Sequence, residues 1–264
     1  MVIDKDAIHA GAEVDADRLQ QFSRLLLLAE FDEQGLAVLQ RRRVLIVGLG
    51  GLGSPVALYL AKSGLAEIHL ADFDTVALSN LPRQVLYGPA DIGRPKADAL
   101  AERLRLLAPE TAFHGRTEAA DGQNLRHWVG MVDLVIDCTD NFSSRQAINR
   151  ACHEAARPLV CASALQWSGQ LLVVDPGQPQ AGCYACLFHP DTPPQEASCG
   201  AYGVMTTAVG TMGLLAANEA LKILMGMTPA SGRLLIFDAK EPRFETLRFT
   251  ARADCPVCQV SGKA

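Results

Sequence analysis

The residues of this chain whose types and spacing could do chemistry fall into two groups: paired thiols and a glycine loop. Cys183-Tyr-Ala-Cys186 and Cys255-Pro-Val-Cys258 are two Cys-x-x-Cys pairs. Two residues between cysteines let both sulfurs converge on one ion, and two such pairs supply the four thiolates of tetrahedral zinc. A closed four-sulfur shell has no open position, so this zinc would be structural, pinning the C-terminal tail (residues 250–264) to the loop after residue 174. The pairs lie far apart in sequence, which leaves open two unrelated reduced pairs or redox dithiols. His189 follows the first pair but is not needed as a ligand beside four cysteines. Cys138, Cys152 and Cys161 sit in strand or helix patterns and read as core residues. Cys199, in the glycine-flanked run Ala197-Ser-Cys-Gly-Ala-Tyr-Gly203, precedes a long helical pattern. A loop thiol there is either a reactive group with a lowered pKa or a merely exposed one.

The second group begins with the β-branched run Val44-Leu-Ile-Val47, which breaks into Gly48-x-Gly50-Gly51-x-Gly53. A buried strand ending in glycines and followed by a helix lets a phosphate approach bare N–H groups, with the helix N-terminus aimed at it. Asp72, in Asp72-Phe-Asp74 at the end of the next strand, is placed for a ribose hydroxyl pair. Lys96 opens a helix, where the helix dipole disfavours a cation, so it predicts an anion nearby. Arg24 interrupts an apolar stretch and either snorkels at the surface or reaches phosphate. Thr139-Asp140-Asn141 ends a further buried strand and faces the crevice where open α/β sheets bind ligands. The glycine loop and Asp72 alone would also permit an NAD-dependent oxidoreductase, but that reading gives Arg83, Lys96 and Asp140 no role. A non-catalytic scaffold is a third reading, against which the intact polar set argues.

The elements that must position these residues follow from periodicity. Helices are predicted over 17–28, 31–39, 54–63, 96–107, 122–129, 143–156 and 203–225. Strands are predicted over 44–47, 66–71, 111–116, 132–138, 158–162 and 170–174, with a hairpin from Arg233 to Asp238 and Phe244 to Phe249. Strand–helix alternation followed by late strands predicts an α/β fold: a doubly wound, mostly parallel Rossmann-like sheet with C-terminal antiparallel additions. No linker or repeat divides residues 1–264, so one domain is expected, with 1–17 flexible and 183–202 a loop carrying Cys183, Cys186 and Cys199. The chain is 49% apolar and 20% charged with net charge −5, which gives no reason to expect nucleic-acid binding. The longest apolar run, 203–225, carries Asn218, Glu219 and Lys222 and reads as a buried helix rather than a membrane span. A polar, acidic N-terminus with reduced cysteine pairs predicts a cytoplasmic protein.

Taken together the motifs are specific. Gly48-Leu-Gly-Gly-Leu-Gly53, Asp72-Phe-Asp-Thr-Val76, Leu78-Ser-Asn-Leu-Pro-Arg-Gln84, Gly93-Arg-Pro-Lys96, Asp137-Cys-Thr-Asp-Asn141 and the two cysteine pairs resemble the ThiF/MoeB/HesA family, the bacterial branch related to ubiquitin-activating enzymes. The run Ala162 to Leu171, with Gly182-Cys-Tyr-x-Cys186, looks closer to ThiF than to MoeB. The resemblance implies an ATP-dependent adenylyltransferase that activates the C-terminal glycine of a ubiquitin-like sulfur carrier, ThiS- or MoaD-like, for thiamin or molybdenum-cofactor synthesis. It implies that Gly48, Gly50, Gly51, Gly53, Asp72, Asp74, Asn80, Arg83, Gln84, Lys96 and Asn141 surround ATP. Asn80, Arg83 and Lys96 would contact phosphates and Asp140 would hold Mg²⁺. Arg24 would reach the neighbouring subunit's ATP in a homodimer, although Phe22 and Leu25 stand where the family has Tyr and Gln. Cys199 matches a cysteine that can join the carrier through sulfur, with Tyr202 where the family has a small residue. No sulfur-transferring domain follows Cys258, so a separate sulfur donor is expected.

Overall fold

Strand β1 (Arg43–Val47) sets the frame. Its side chains alternate: Val44 and Ile46 join one apolar core and Leu45 and Val47 the other, so the strand is covered on both faces. The computed structural model describes residues 16–192 and 202–259. The N-terminal residues 1–15 lie outside the described residues, as does Cys199. Before β1 run two short helices, α1 (Ala16–Gln21) and α2 (Glu33–Leu39). After it come α3 (Gly53–Lys62), β2 (Glu67–Ala71), α4 (Lys96–Leu107), β3 (Ala112–Arg116), α5 (Gly122–Gly130), β4 (Leu134–Asp137) and α6 (Phe142–Glu154). The chain continues with β5 (Leu159–Leu165), β6 (Ser168–Val174), α7 (Tyr184–Leu187), α8 (Thr206–Leu224), β7 (Arg233–Asp238) and β8 (Arg243–Arg248).

One eight-stranded sheet has the order β3-β2-β1-β4-β5-β6-β7-β8. The first five strands in that order pair parallel, and β6, β7 and β8 are added antiparallel. Helices α3, α4 and α8 cover one face, and α5 and α6 cover part of the other. The strand order reverses beside β1, between β2 and β4, which is the switch point where such sheets bind ligands. The mixed sheet agrees with the fold class read from the sequence. No helix among the described residues is long and apolar enough to cross a membrane.

Two expectations need correction. The helix predicted over 17–28 ends at Gln21, and residues 22–28 form turns with bonds such as Leu25 N–H to the Phe22 carbonyl at 2.8 Å. Phe22 is buried against Gly64 and Leu36, whereas Leu27 and Leu28 are 77% and 54% exposed. A continuous helix would spread the four consecutive leucines 25–28 around its axis in steps of about 100°, so one core could receive only part of the run. Strands 158–162 and 170–174 are really one antiparallel hairpin, 159–165 with 168–174, turning through Gln166 in the left-handed region (φ 53). Its outer half alternates small and polar residues, a weak apolar signal.

Candidate functional site

The glycine loop is shaped first by the chain's own packing. Gly48 has φ +85, and a Cβ at Gly53 would lie 1.9 Å from the Gly48 carbonyl oxygen. These two glycines let the strand turn and α3 lie against it. Gly50 and Gly51 line the cleft above the loop. Leu52, at the N-cap of α3, makes no side-chain cap, but the Ser54 N–H is bonded to the Gly50 carbonyl at 3.1 Å and Pro55 has no N–H, so the first turn of that helix has little to offer an anion.

The cleft, about 910 Å³, opens at the C-terminal ends of β1, β2, β4 and β5. It brings together Gly48, Gly50, Gly51, Asp72, Asp74, Asn80, Arg83, Gln84, Lys96, Asp140 and Asn141. Asp72 accepts from the Leu49 N–H at 2.7 Å and the Asp74 N–H at 2.9 Å. Burial pushes its carboxyl above the usual carboxylate range, while Lys96 and those N–H groups pull it back. Lys96 is buried, with Nζ 2.8 Å from Asp74 and 3.9 Å from Asp72. The anion expected beside this cation is therefore present within the chain itself. Arg83 donates to the Ser79 carbonyl at 3.0 Å and Asn80 accepts from the Ala77 N–H at 3.2 Å, so both are tethered to their own turn. Gln84 is buried with its side-chain carbonyl unpartnered among the described residues, an acceptor at the foot of the glycine loop. Asp140 is exposed at the lip, and Asn141 caps α6 by accepting from the Ser144 N–H at 2.8 Å. Arg24 is exposed in the turn after α1 and does not line the cleft of its own chain.

Helix α6 carries residues that the sequence reading passed over. Asn141, Arg145 and Asn149 are four apart and share one face. Arg145, almost wholly buried, donates to the carbonyls of Thr139, just after β4, and, at 3.0 Å, of Ala162 in the middle of β5. Asn149 donates to Cys183 Sγ at 3.5 Å and accepts from the Tyr184 N–H at 3.1 Å. One helix thus supports both the cleft lip and the first cysteine pair. The sequence signal was a polar i, i+4 ladder on a helix face otherwise turned toward the core. Replacing Asn149 by Ala leaves the buried Tyr184 N–H without an acceptor and is expected to cost about 1–3 kcal/mol, read as a lowered denaturation midpoint at unchanged m.

Cys183, Cys186, Cys255 and Cys258 come together with their sulfurs within 4.8 Å of one another. The Cys183–Cys186, Cys183–Cys255 and Cys186–Cys258 separations are 4.0, 3.6 and 3.4 Å. A tetrahedron with 2.3 Å metal–sulfur arms has edges of about 3.8 Å, so the donor set fits one such ion. These separations also exclude disulfides, whose S–S bonds are about 2.0 Å. Without a cation the four thiols cannot all ionise. Hydrogen bonding from Cys183 pulls Cys186 down to about 4, while burial pushes Cys258 up to about 12. His189 sits apart, its Nδ1 3.7 Å from Asp191. Cys138, Cys152 and Cys161 are buried, as expected.

Comparison with known proteins decides the lineage. The model of the ThiF family matches residues 22–257. The chain belongs to the ThiF family. It is 43% identical to "Sulfur carrier protein ThiS adenylyltransferase" of Escherichia coli over 90% of this chain and 94% of that protein. It is 37% identical to "Molybdopterin-synthase adenylyltransferase" of the same organism over 94% of this chain and 99% of that one. The leaning toward ThiF over MoeB agrees with these identities. With "Adenylyltransferase and sulfurtransferase MOCS3" of Xenopus laevis it shares 41% identity, spanning 53% of that protein's length. Among solved structures, E. coli MccB superposes with TM-score 0.79 at 21% identity, covering 93% of this chain and 74% of that one, which shows a common fold. Membership of the ThiF family displaces the oxidoreductase reading.

Proposed function

We propose that this chain is an ATP-dependent adenylyltransferase acting on the C-terminal glycine of a small ubiquitin-like sulfur carrier, ThiS- or MoaD-like. The observation that carries this reading is the gathering of Asp72, Asn80, Arg83, Lys96 and Asp140 around one glycine loop at the sheet's switch point. The names of the ThiS and molybdopterin-synthase relatives support the substrate class. A carrier carboxylate oxygen attacks the α-phosphorus, the bond from that phosphorus to the bridging oxygen breaks, and pyrophosphate leaves with the electron pair. The product is an acyl adenylate. No side-chain nucleophile is required, because the substrate provides its own.

The chain's task is to let two anions meet. Asp72 holds the ribose, and Asn80 and Arg83 hold phosphates from the turn that tethers them. Lys96 leaves its carboxylate partners in part to face the triphosphate, and Gly50 and Gly51 let the phosphates approach the backbone of the loop. Asp140 is the residue that would hold Mg²⁺; that ion, when bound, neutralises phosphate charge. Arg24 completes the charge set from a second copy in a homodimer, which suits its absence from its own cleft and the exposed Leu27 and Leu28 beside it. The four cysteines hold structural zinc. Sulfur comes from a separate donor protein in the cytoplasm, and Cys199 is a candidate for a covalent link to the carrier.

The test is ATP–pyrophosphate exchange with purified ThiS-like and MoaD-like carriers ending in Gly-Gly. Exchange dependent on one carrier is expected, and none with either would overturn the reading. Asp140→Ala is expected to lower exchange about 10²-fold or more with an unchanged melting temperature, because Asp140 is exposed and carries none of the core. Exchange surviving in that variant would remove Asp140 from the Mg²⁺ site.

A further inference from the structure

A second cluster of metal-binding residue types lies away from the nucleotide cleft and the four cysteines. Strands β2 and β3 pair parallel with His69 directly opposite His114, and Glu67 is two residues before His69 on the same face. Glu67 Oε1 is 2.7 Å from His69 Nε2 and 3.2 Å from His114 Nε2. The two rings stack with centroids 4.8 Å apart. We propose that Glu67, His69 and His114 form a second metal site, a three-ligand site for a zinc-class divalent cation, open to solvent at its fourth position on the His114 side.

Three observations carry this. First, the placement is fixed by sheet geometry: residues i and i+2 on one strand and the in-register residue of its neighbour form a triangle whose corners the ladder holds in place. Second, the distances fit. Metal arms of 2.0–2.1 Å give tetrahedral edges of about 3.3 Å, so the 2.7 and 3.2 Å separations need adjust by only tenths of an ångström. Third, His69 Nε2 is buried, aimed at Glu67, and yet makes no aligned hydrogen bond among the described residues. The short contact is out of line for an N–H donor. A cation seated among the three groups satisfies that nitrogen where a proton does not. Two imidazoles and a carboxylate suit zinc. The His114 side chain is 45% exposed and leaves the fourth position to water.

Arg116 limits the affinity. Its guanidinium lies 3.4 Å from His69 Nδ1 and can only donate, so it favours the tautomer with the proton on Nε2. Binding the ion at Nε2 moves that proton to Nδ1 and displaces Arg116. Glutamine at 116 offers a carbonyl that accepts from Nδ1–H, the usual outer-shell partner of a ligating histidine. The ion would tie β3, the sheet's edge strand, to β2, whose next residue Asp72 donates its N–H to the Arg116 carbonyl at 3.0 Å.

The experiment titrates the full, tag-free chain, carrying a single zinc equivalent to fill the four-cysteine site, with Co²⁺ and follows the visible spectrum, with native mass spectrometry counting metals. A Co²⁺ equivalent with d–d bands but no thiolate charge-transfer band is expected. It should be lost in His114→Ala and in Glu67→Gln, and bind about tenfold tighter in Arg116→Gln. His114 is half-exposed, so its alanine variant keeps the fold, which a thermal melt verifies. No saturable equivalent, uptake only with charge-transfer bands, or the same affinity in both ligand variants overturns the proposal. Neither ATP nor a carrier is present, so the result stands apart from the adenylation reading.

Discussion

Replacing Lys96 by alanine is expected to lower carrier-dependent ATP–pyrophosphate exchange about 10³-fold. A cation about 4 Å from a phosphate charge contributes roughly 4 kcal/mol at an effective dielectric near 20, and each 1.36 kcal/mol is a factor of ten in rate. Asp74 and Asp72 offset part of that charge, but the Lys96 side chain is 8% exposed and little screened by water, so most of the amount is retained. A second effect runs in the same direction. Asp72 is buried and already has a raised pKa, and Lys96 is the charge that most opposes that rise. Its loss removes the charge that most holds the Asp72 carboxyl down, so the proposed ribose contact weakens as well. Lys96→Arg keeps the charge but brings a wider, planar head into a slot built around Nζ, and partial recovery is expected. The measurement is exchange against carrier concentration for both variants, with circular dichroism melts to show that α4 still forms. A Lys96→Ala rate within tenfold of the parent would remove Lys96 from the phosphate site.

Much of this arrangement was legible because local and long-range signals agreed. Val44 to Val47 could be assigned as a doubly covered strand since a four-residue apolar run with three β-branched residues, ending in glycines, has few other uses. Asp72 and Asp140 were legible as strand-end residues, where the topology of an open sheet converges on one crevice. Arg145 and Asn149 were not, because their partners are two main-chain carbonyls, a sulfur and an N–H, which only tertiary packing supplies. The pairing of His69 with His114 was equally hidden, since parallel register between distant strands leaves no mark in sequence. The turn after α1 was misread because four consecutive leucines satisfy helical periodicity whether or not a core exists to receive them. Lys96 shows how a correct rule can find an unexpected partner: a cation at a helix start needs an anion, and Asp74 of the same chain provides one before any phosphate arrives.

Loss of one of the four cysteines proposed to hold zinc, Cys258→Ser, is expected to lower the melting temperature by about 10 °C. Structural zinc in isolated peptides contributes roughly 10–16 kcal/mol of apparent binding free energy. Here the donors are already assembled by the fold, so a fraction near a quarter, about 3–4 kcal/mol, is what stability loses, and a chain of this size shifts roughly 2–4 °C per kcal/mol. The effect has a defined place. Cys255 and Cys258 hold the tail against Cys183 and Cys186, and all four belong to the same apolar cluster as Trp128, Leu125 and Ile148. The Arg252 N–H donates to Cys186 Sγ at 3.4 Å, so the approach to the second pair is fastened by the same sulfurs. Metal loss should therefore free the segment after β8 first, leaving the parallel half of the sheet folded. Limited proteolysis of the chelator-treated chain is expected to cut between 249 and 258 well before any site in β1 to β4, with a rise in Trp128 accessibility to quenchers. Asn149 links the same cluster to the helix capped by Asn141, so a modest loss of nucleotide affinity should accompany metal removal. An unchanged melting temperature in Cys258→Ser, together with an uncut tail after chelation, would show that packing alone holds the tail and that the four thiols bind nothing.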